Sequence, residues 1–212
     1  MKEPQVQEKQ VTFRSSDLTL EGLLAIRDGE APAAVVCHPH PMYGGSMFNN
    51  VVDAILAATW QLGYSTLRFN FRGVGASEGE HDGGRGEAED AAAAMGFLLS
   101  QPGVRKTGAV MAGYSFGAMV AVSAGYEHAD VSRIVAVALP LSMTEARVPA
   151  GASKPLLLVS GDHDSYSPVV GLTKLQEQIG KSARLEIIKG ADHFFGGSEA
   201  ELSRVIEAAL RS

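Results

Sequence analysis

One cysteine, one tryptophan and no long apolar run are the first features of this 212-residue chain. The lone Cys37 excludes an internal disulfide and a cysteine-rich zinc site. No stretch approaches about 18 consecutive apolar residues, so the sequence offers no membrane span. The opening residues, Met1-Lys2-Glu3-Pro4-Gln5, are polar, which predicts no secretory signal. Positive charge is scarce too. The 18 Lys+Arg against 24 Asp+Glu leave a formal net charge of −6, and no basic cluster offsets it. That balance excludes the electrostatic footprint of a nucleic-acid or anionic-membrane binder. The expectation is a cytoplasmic protein with a small-molecule partner. Against these absences stand 45% hydrophobic and 20% charged residues, as in an ordinary globular domain. The chain is long enough for one sizeable core and shows no repeat, linker or composition shift. A single domain over residues 1–212 follows.

Short β-branched runs alternate with helix-period runs, which predicts an α/β fold: βα units around a mostly parallel sheet. Residues 8–14 and 18–27 flank Ser15-Ser16-Asp17 and read as an opening antiparallel pair. Further strands are expected at Ala33–Cys37, Tyr64–Phe71, Thr107–Ala112, Arg133–Leu139, Pro155–Ser160 and Arg184–Ile188, about eight in all. Helical spacing marks 47–62, Glu87–Ser100, Phe116–His128, Pro168–Ile179 and Ser198–Leu210.

Two segments match Gly-x-Ser-x-Gly: Gly75–Gly79 around Ser77 and Gly113–Gly117 around Ser115. The pattern alone is weak, and context separates the two. A nucleophilic serine on a sheet needs a strand, a sharp turn and a helix, with small residues where backbones crowd. Thr107–Ala112 supplies the strand before Ser115, and Phe116–Val122 supplies the helix after it. Ser77 leads instead into Glu78-Gly79-Glu80-His81-Asp82-Gly83-Gly84, which is loop chemistry. Ser115 is the candidate nucleophile.

A serine hydroxyl becomes reactive when an imidazole can take its proton and a carboxylate holds that imidazole. In a parallel sheet such groups collect at the C-terminal strand ends. His193 sits in the loop after Arg184–Ile188. His128 ends a helix and is expected to meet its dipole; His81, in a Gly-rich loop, has no obvious partner. The loop after Leu156–Ser160 offers Asp162 and Asp164 as the acid, with Asp192 a third choice. The chain order Ser, Asp, His matches one hydrolase architecture and neither of the two common protease orders. The amide of Phe116, just after the serine, is one expected oxyanion donor.

These residues resemble the α/β-hydrolase superfamily over nearly the whole chain. The resemblance is carried by His38-Pro39-His40-Pro41-Met42-Tyr43-Gly44-Gly45, Phe69-Asn70-Phe71-Arg72-Gly73-Val74-Gly75-Ala76-Ser77, Gly113–Gly117, Gly161-Asp162-His163-Asp164 and Ala191-Asp192-His193. It is closest to small bacterial members with a His-Pro-His-Pro segment, like dienelactone hydrolases and serine aminopeptidases. The resemblance implies a twisted, mostly parallel sheet with its second strand antiparallel, helices on both faces and no lid. It also implies Asp164 rather than Asp162 as the acid, because the family's acid ends a Gly-x-x-Asp pattern with a proline soon after. It demotes Ser77, whose segment is a non-catalytic family feature. It makes the His40 amide the second oxyanion donor, with Met42 or Tyr43 behind it; Pro39 and Pro41 have no N–H to donate.

Cys37 reads as a buried strand residue. The alternation of His38, His40, Asp162, His163 and Asp164 is not read as a metal site, and no cofactor is expected. Only Pro140–Lys154 separates the sixth and seventh strands, too short for a helical cap, so an open site is predicted. Candidate walls are Tyr43, Met47, Phe48, Leu141, Met143, Tyr166, Phe194 and Phe195. Such walls suit esters with short or medium acyl chains. Peptide, thioester or lactone hydrolysis by the same residues, or a silent ligand-binding scaffold, are the alternatives.

Overall fold

A computed structural model describes residues 7–141, 148–149 and 152–211. An eight-stranded sheet forms its centre: β1 (Lys9–Ser15), β2 (Leu18–Ala25), β3 (Ala31–Cys37), β4 (Ser65–Phe69), β5 (Val104–Tyr114), β6 (Val131–Val137), β7 (Leu156–Gly161) and β8 (Ala183–Ile188). The spatial order is β1-β2-β4-β3-β5-β6-β7-β8. β2 runs antiparallel to both β1 and β4, and every other pair is parallel. Among the described residues five α-helices flank the sheet: α1 (Asn50–Gln61), α2 (Arg85–Leu99), α3 (Phe116–Glu127), α4 (Val169–Ile179) and α5 (Glu199–Arg211).

Strand side chains alternate between faces, so the sheet carries two cores. Val35, Leu67 and Met111 pack with Met95, Leu98, Val120 and Leu172, from α2, α3 and α4. Val36, Val110 and Val135 pack with Val51, Ile55, Leu202 and Ile206, from α1 and α5. Central strands buried on both faces read as continuous apolar runs, and Leu156–Gly161 is buried at every position.

Two elements start three residues from where they were expected: β5, at Val104 rather than Thr107, and α1, expected from residue 47 and found from Asn50. Asn49 caps it, its Oδ1 accepting from Val51 N at 2.9 Å. Upstream, Met47 N is drawn to Asn70 Oδ1 at 2.9 Å, which holds that segment out of the helix. Residues 142–147, 150 and 151 of the β6–β7 connection, Met143 among them, lie outside the described residues. None of the described helices is long and apolar enough to cross a membrane.

Candidate functional site

The turn from β5 to α3 is tight. Ser115 holds φ 54° and ψ −119°, the left-handed side of backbone space that L-residues avoid. Its glycines are there because no side chain fits. A Cβ on Gly113 would stand 2.1 Å from Gly117 O, and one on Gly117 would stand 2.4 Å from both Cys37 O and His38 O. The second clash fixes a point of geometry: the turn presses directly against the end of β3, where the His-Pro-His-Pro loop begins.

The loops after β7 and β8 meet beside this turn. A Cβ on Gly161 would lie 2.0 Å from Ala191 O, so these loops too are in backbone contact. Ser115 Oγ is 3.0 Å from His193 Nε2, and His193 Nδ1 is 2.9 Å from Asp164 Oδ2. Asp164 is buried, and its other oxygen accepts from Tyr166 N at 2.8 Å and Ser167 N at 3.0 Å. Burial alone would raise its carboxyl. The hydrogen bond from His193, that ring's charge and the two amides outweigh burial and hold it below its ordinary value. Tyr114, buried inside the turn, donates its hydroxyl to His193 O at 2.9 Å.

The other candidate acids do different work. Asp162 accepts from Gly190 N at 2.6 Å and ties the two loops together. Asp192 accepts from Phe194 N at 2.9 Å and forms a local turn. Ser77 is structural: its Oγ donates to Asn70 O at 2.7 Å and accepts from Glu21 N at 3.1 Å. Cys37 is wholly buried, and burial, followed by the charge of Asp90, pushes its thiol upward.

The loop after β3 is organised by its own histidines. His38 donates from Nδ1 to Pro39 O at 2.7 Å and accepts at Nε2 from Phe71 N at 3.0 Å, which fixes a neutral ring. Burial lowers it to about 4. His40 accepts at Nδ1 from Met42 N (3.2 Å), and its carbonyl accepts from Tyr43 N (3.1 Å) and Gly45 N (3.1 Å). The amides of Met42 and Tyr43 are thus engaged, while those of His40 and Phe116 have no acceptor among the described residues.

The expected walls divide. Tyr166 packs on the His193 ring at 4.7 Å and Phe194 at 5.6 Å, while Tyr43 packs on His40 at 4.9 Å; all three are exposed. Phe48 is exposed and lies over the Arg68 guanidinium at 5.3 Å. Met47 and Phe195 are buried, at 3% and 0% exposure, and belong to the interior rather than to an open wall. Leu141 is half-buried against the core, beside Gly171 of α4.

His128 stands at the C-terminal cap of α3 as expected; burial lowers it and its Nδ1 accepts from Asp130 N at 3.3 Å. One expectation needs correction. His81 does have a partner, Glu87, which sequence reading missed. Glu87 is fully buried in the first turn of α2 and accepts from Gly84 N at 2.7 Å and Asp82 N at 2.9 Å. His81 Nδ1 lies 2.6 Å from Glu87 Oε1, ion-pair distance but off the line of a straight N–H···O bond. The signal available was the acid at the third helical position, where a capping box places it. Among the described residues no group of three or more His, Cys, Asp or Glu side chains is placed to hold a metal.

Taken chemically, a hydroxyl on an imidazole that a buried carboxylate orients can surrender its proton to that ring. Comparisons with known proteins bear on the family and the fold. Residues 25–185 match the X-Pro dipeptidyl-peptidase (S15) family. An uncharacterized protein of Rickettsia prowazekii is 32% identical over 210 residues, 95% of this chain and 88% of that one. An alpha-beta serine hydrolase homologue from Coxiella burnetii is 32% identical with TM-score 0.84, over 95% of this chain and 97% of that one. A Xanthomonas campestris a/b serine hydrolase without a lid is 27% identical with TM-score 0.85, over 97% and 94%. The chain has the α/β-hydrolase fold of the lidless group and belongs to the X-Pro dipeptidyl-peptidase (S15) family.

Proposed function

We propose that this α/β hydrolase is a serine esterase acting on carboxylic esters of short or medium acyl chains through an acyl-enzyme on Ser115. The observation that carries the reading is the unbroken chain from Ser115 Oγ through His193 to Asp164, at 3.0 and 2.9 Å. His193 takes the proton of Ser115 as Oγ attacks the acyl carbon. The amides of Phe116 and His40 receive the oxyanion, each worth about 3–4 kcal/mol in comparable sites. His193 then passes its proton to the leaving alcohol and activates water to release the acid. Asp164 keeps the ring oriented, and its lowered carboxyl stays ionised throughout. No step requires a metal or cofactor. The exposed rings of Tyr43, Tyr166 and Phe194 beside the site suit apolar substrate portions of modest size. The family description favours a second reading, hydrolysis of peptides by the same residues.

Exposure to a fluorophosphonate probe, read by intact mass, tests the first step. One adduct on the wild type and none on Ser115→Ala is the expected result. No adduct on folded wild-type protein overturns the reading. Rates on matched esters, amides and thioesters then separate esterase from peptidase.

A further inference from the structure

Rings flank Ser115 in two groups. His193, Tyr114, Tyr166 and Phe194 form one. His40, His81, Tyr43 and Phe116 form the other, in which His40 and His81 are 4.8 Å apart and lie 4.8 and 5.3 Å from the Phe116 ring. The esterase mechanism uses the first group and only the backbone of the second. Because His193 must deliver a proton to the leaving oxygen, the alcohol portion lies toward His193. The acyl portion is left the side of His40 and His81.

Both imidazoles on that side are prepared to meet an acceptor. His40 takes Met42 N–H at Nδ1, so its ring proton is on Nε2, and no group among the described residues accepts it. His81 stands beside the buried carboxylate of Glu87, with Nδ1 2.6 Å from Oε1. A fifth of the His81 side chain remains exposed, and its Nε2 has no hydrogen-bond partner among the described residues. Arg72, the cation of the same loop, is already committed to Asp90 and Glu89, at 2.8 and 3.3 Å. Two adjacent imidazoles with outward nitrogens match the two oxygens of a carboxylate.

We propose that His40 and His81, with Glu87 beneath, form a subsite for a carboxylate at the far end of the acyl group. The preferred substrates are then monoesters of short dicarboxylic acids. This rests on the reading of Ser115 as nucleophile and refines its substrate.

The test compares monoethyl succinate with ethyl isocaproate, its uncharged isostere, by pH-stat on wild type, His81→Leu and His81→Gln. Expected is a wild-type kcat/KM ratio favouring the succinate by about tenfold or more, the magnitude of a charge-assisted hydrogen bond. That ratio collapses in His81→Leu and recovers in part in His81→Gln, which keeps a donor. An unchanged ratio in His81→Leu, or a wild type that prefers the uncharged ester, overturns the subsite while leaving the esterase standing. Should neither ester turn over, calorimetric binding of monoethyl succinate to Ser115→Ala decides separately. Binding lost on adding His81→Leu upholds the subsite, and binding that is absent or indifferent to His81 overturns it.

Discussion

Replacing Asp164 by asparagine perturbs the site at one atom, and the cost can be worked from its contacts. Oδ1 of Asp164 accepts two amides, Tyr166 N and Ser167 N, and Oδ2 meets His193 Nδ1. In Asp164→Asn the amide oxygen stays on the two N–H groups, because turning it over would leave both unsatisfied. Its NH2 then points at His193 Nδ1, which must become the acceptor. The ring proton moves to Nε2 and faces Ser115, and the base is lost. Restoring the productive tautomer requires the overturned amide, at about 1–3 kcal/mol for each buried donor left unpaired. At about 1.4 kcal/mol per factor of ten, kcat falls between about thirtyfold and about ten-thousandfold. KM changes little. Asp162→Asn is the control. It has one amide to satisfy, Gly190 N, and an asparagine oxygen serves as well, so activity stays within about twofold. Initial rates on para-nitrophenyl butyrate, with circular dichroism melts to verify folding, make the comparison. Asp164→Asn retaining more than a third of wild-type kcat, or Asp162→Asn losing as much as Asp164→Asn, refutes the reasoning.

Two further outcomes follow from the surroundings of the site. Tyr114→Phe removes the donor to His193 O and leaves a buried carbonyl unpaired, lowering stability by about 1–3 kcal/mol. It also loosens His193, so kcat falls several-fold with KM nearly constant; an unchanged kcat counts against a positioning role. His38 is neutral in the fold, lowered by burial to about 4. As pH drops below the ordinary imidazole value the unfolded chain takes a proton there and the native chain does not. Stability is therefore lost between about pH 6.5 and 4, by up to about 3 kcal/mol from this group. Urea unfolding that gives the same free energy at pH 6.5 and 5 contradicts it.

The sequence alone carried what depends on near neighbours. Alternation and helical spacing yield the order of strands and helices because each side chain's face is set within a few residues. The turn at Ser115 was readable because the crowding that demands glycine at 113 and 117 is local to strand, turn and helix. His193 was readable as a strand-end loop residue. Tertiary structure decided what depends on which loops meet. Asp162 and Asp164 are two residues apart on one loop, and no spacing tells which faces His193; the contact of Gly161 with Ala191 settles their positions by setting one loop against the other. The free amide of His40, against the engaged ones of Met42 and Tyr43, depends on how its loop closes on itself. Met47 and Phe195 looked like wall residues by type and turn inward instead, Met47 because Asn70 holds its backbone. The pairing of His81 with Glu87, and of both with His40, needs β3, β4 and α2 in register together. Apolar periodicity carries no information about a polar contact assembled from three separate elements, and only the folded chain supplies it.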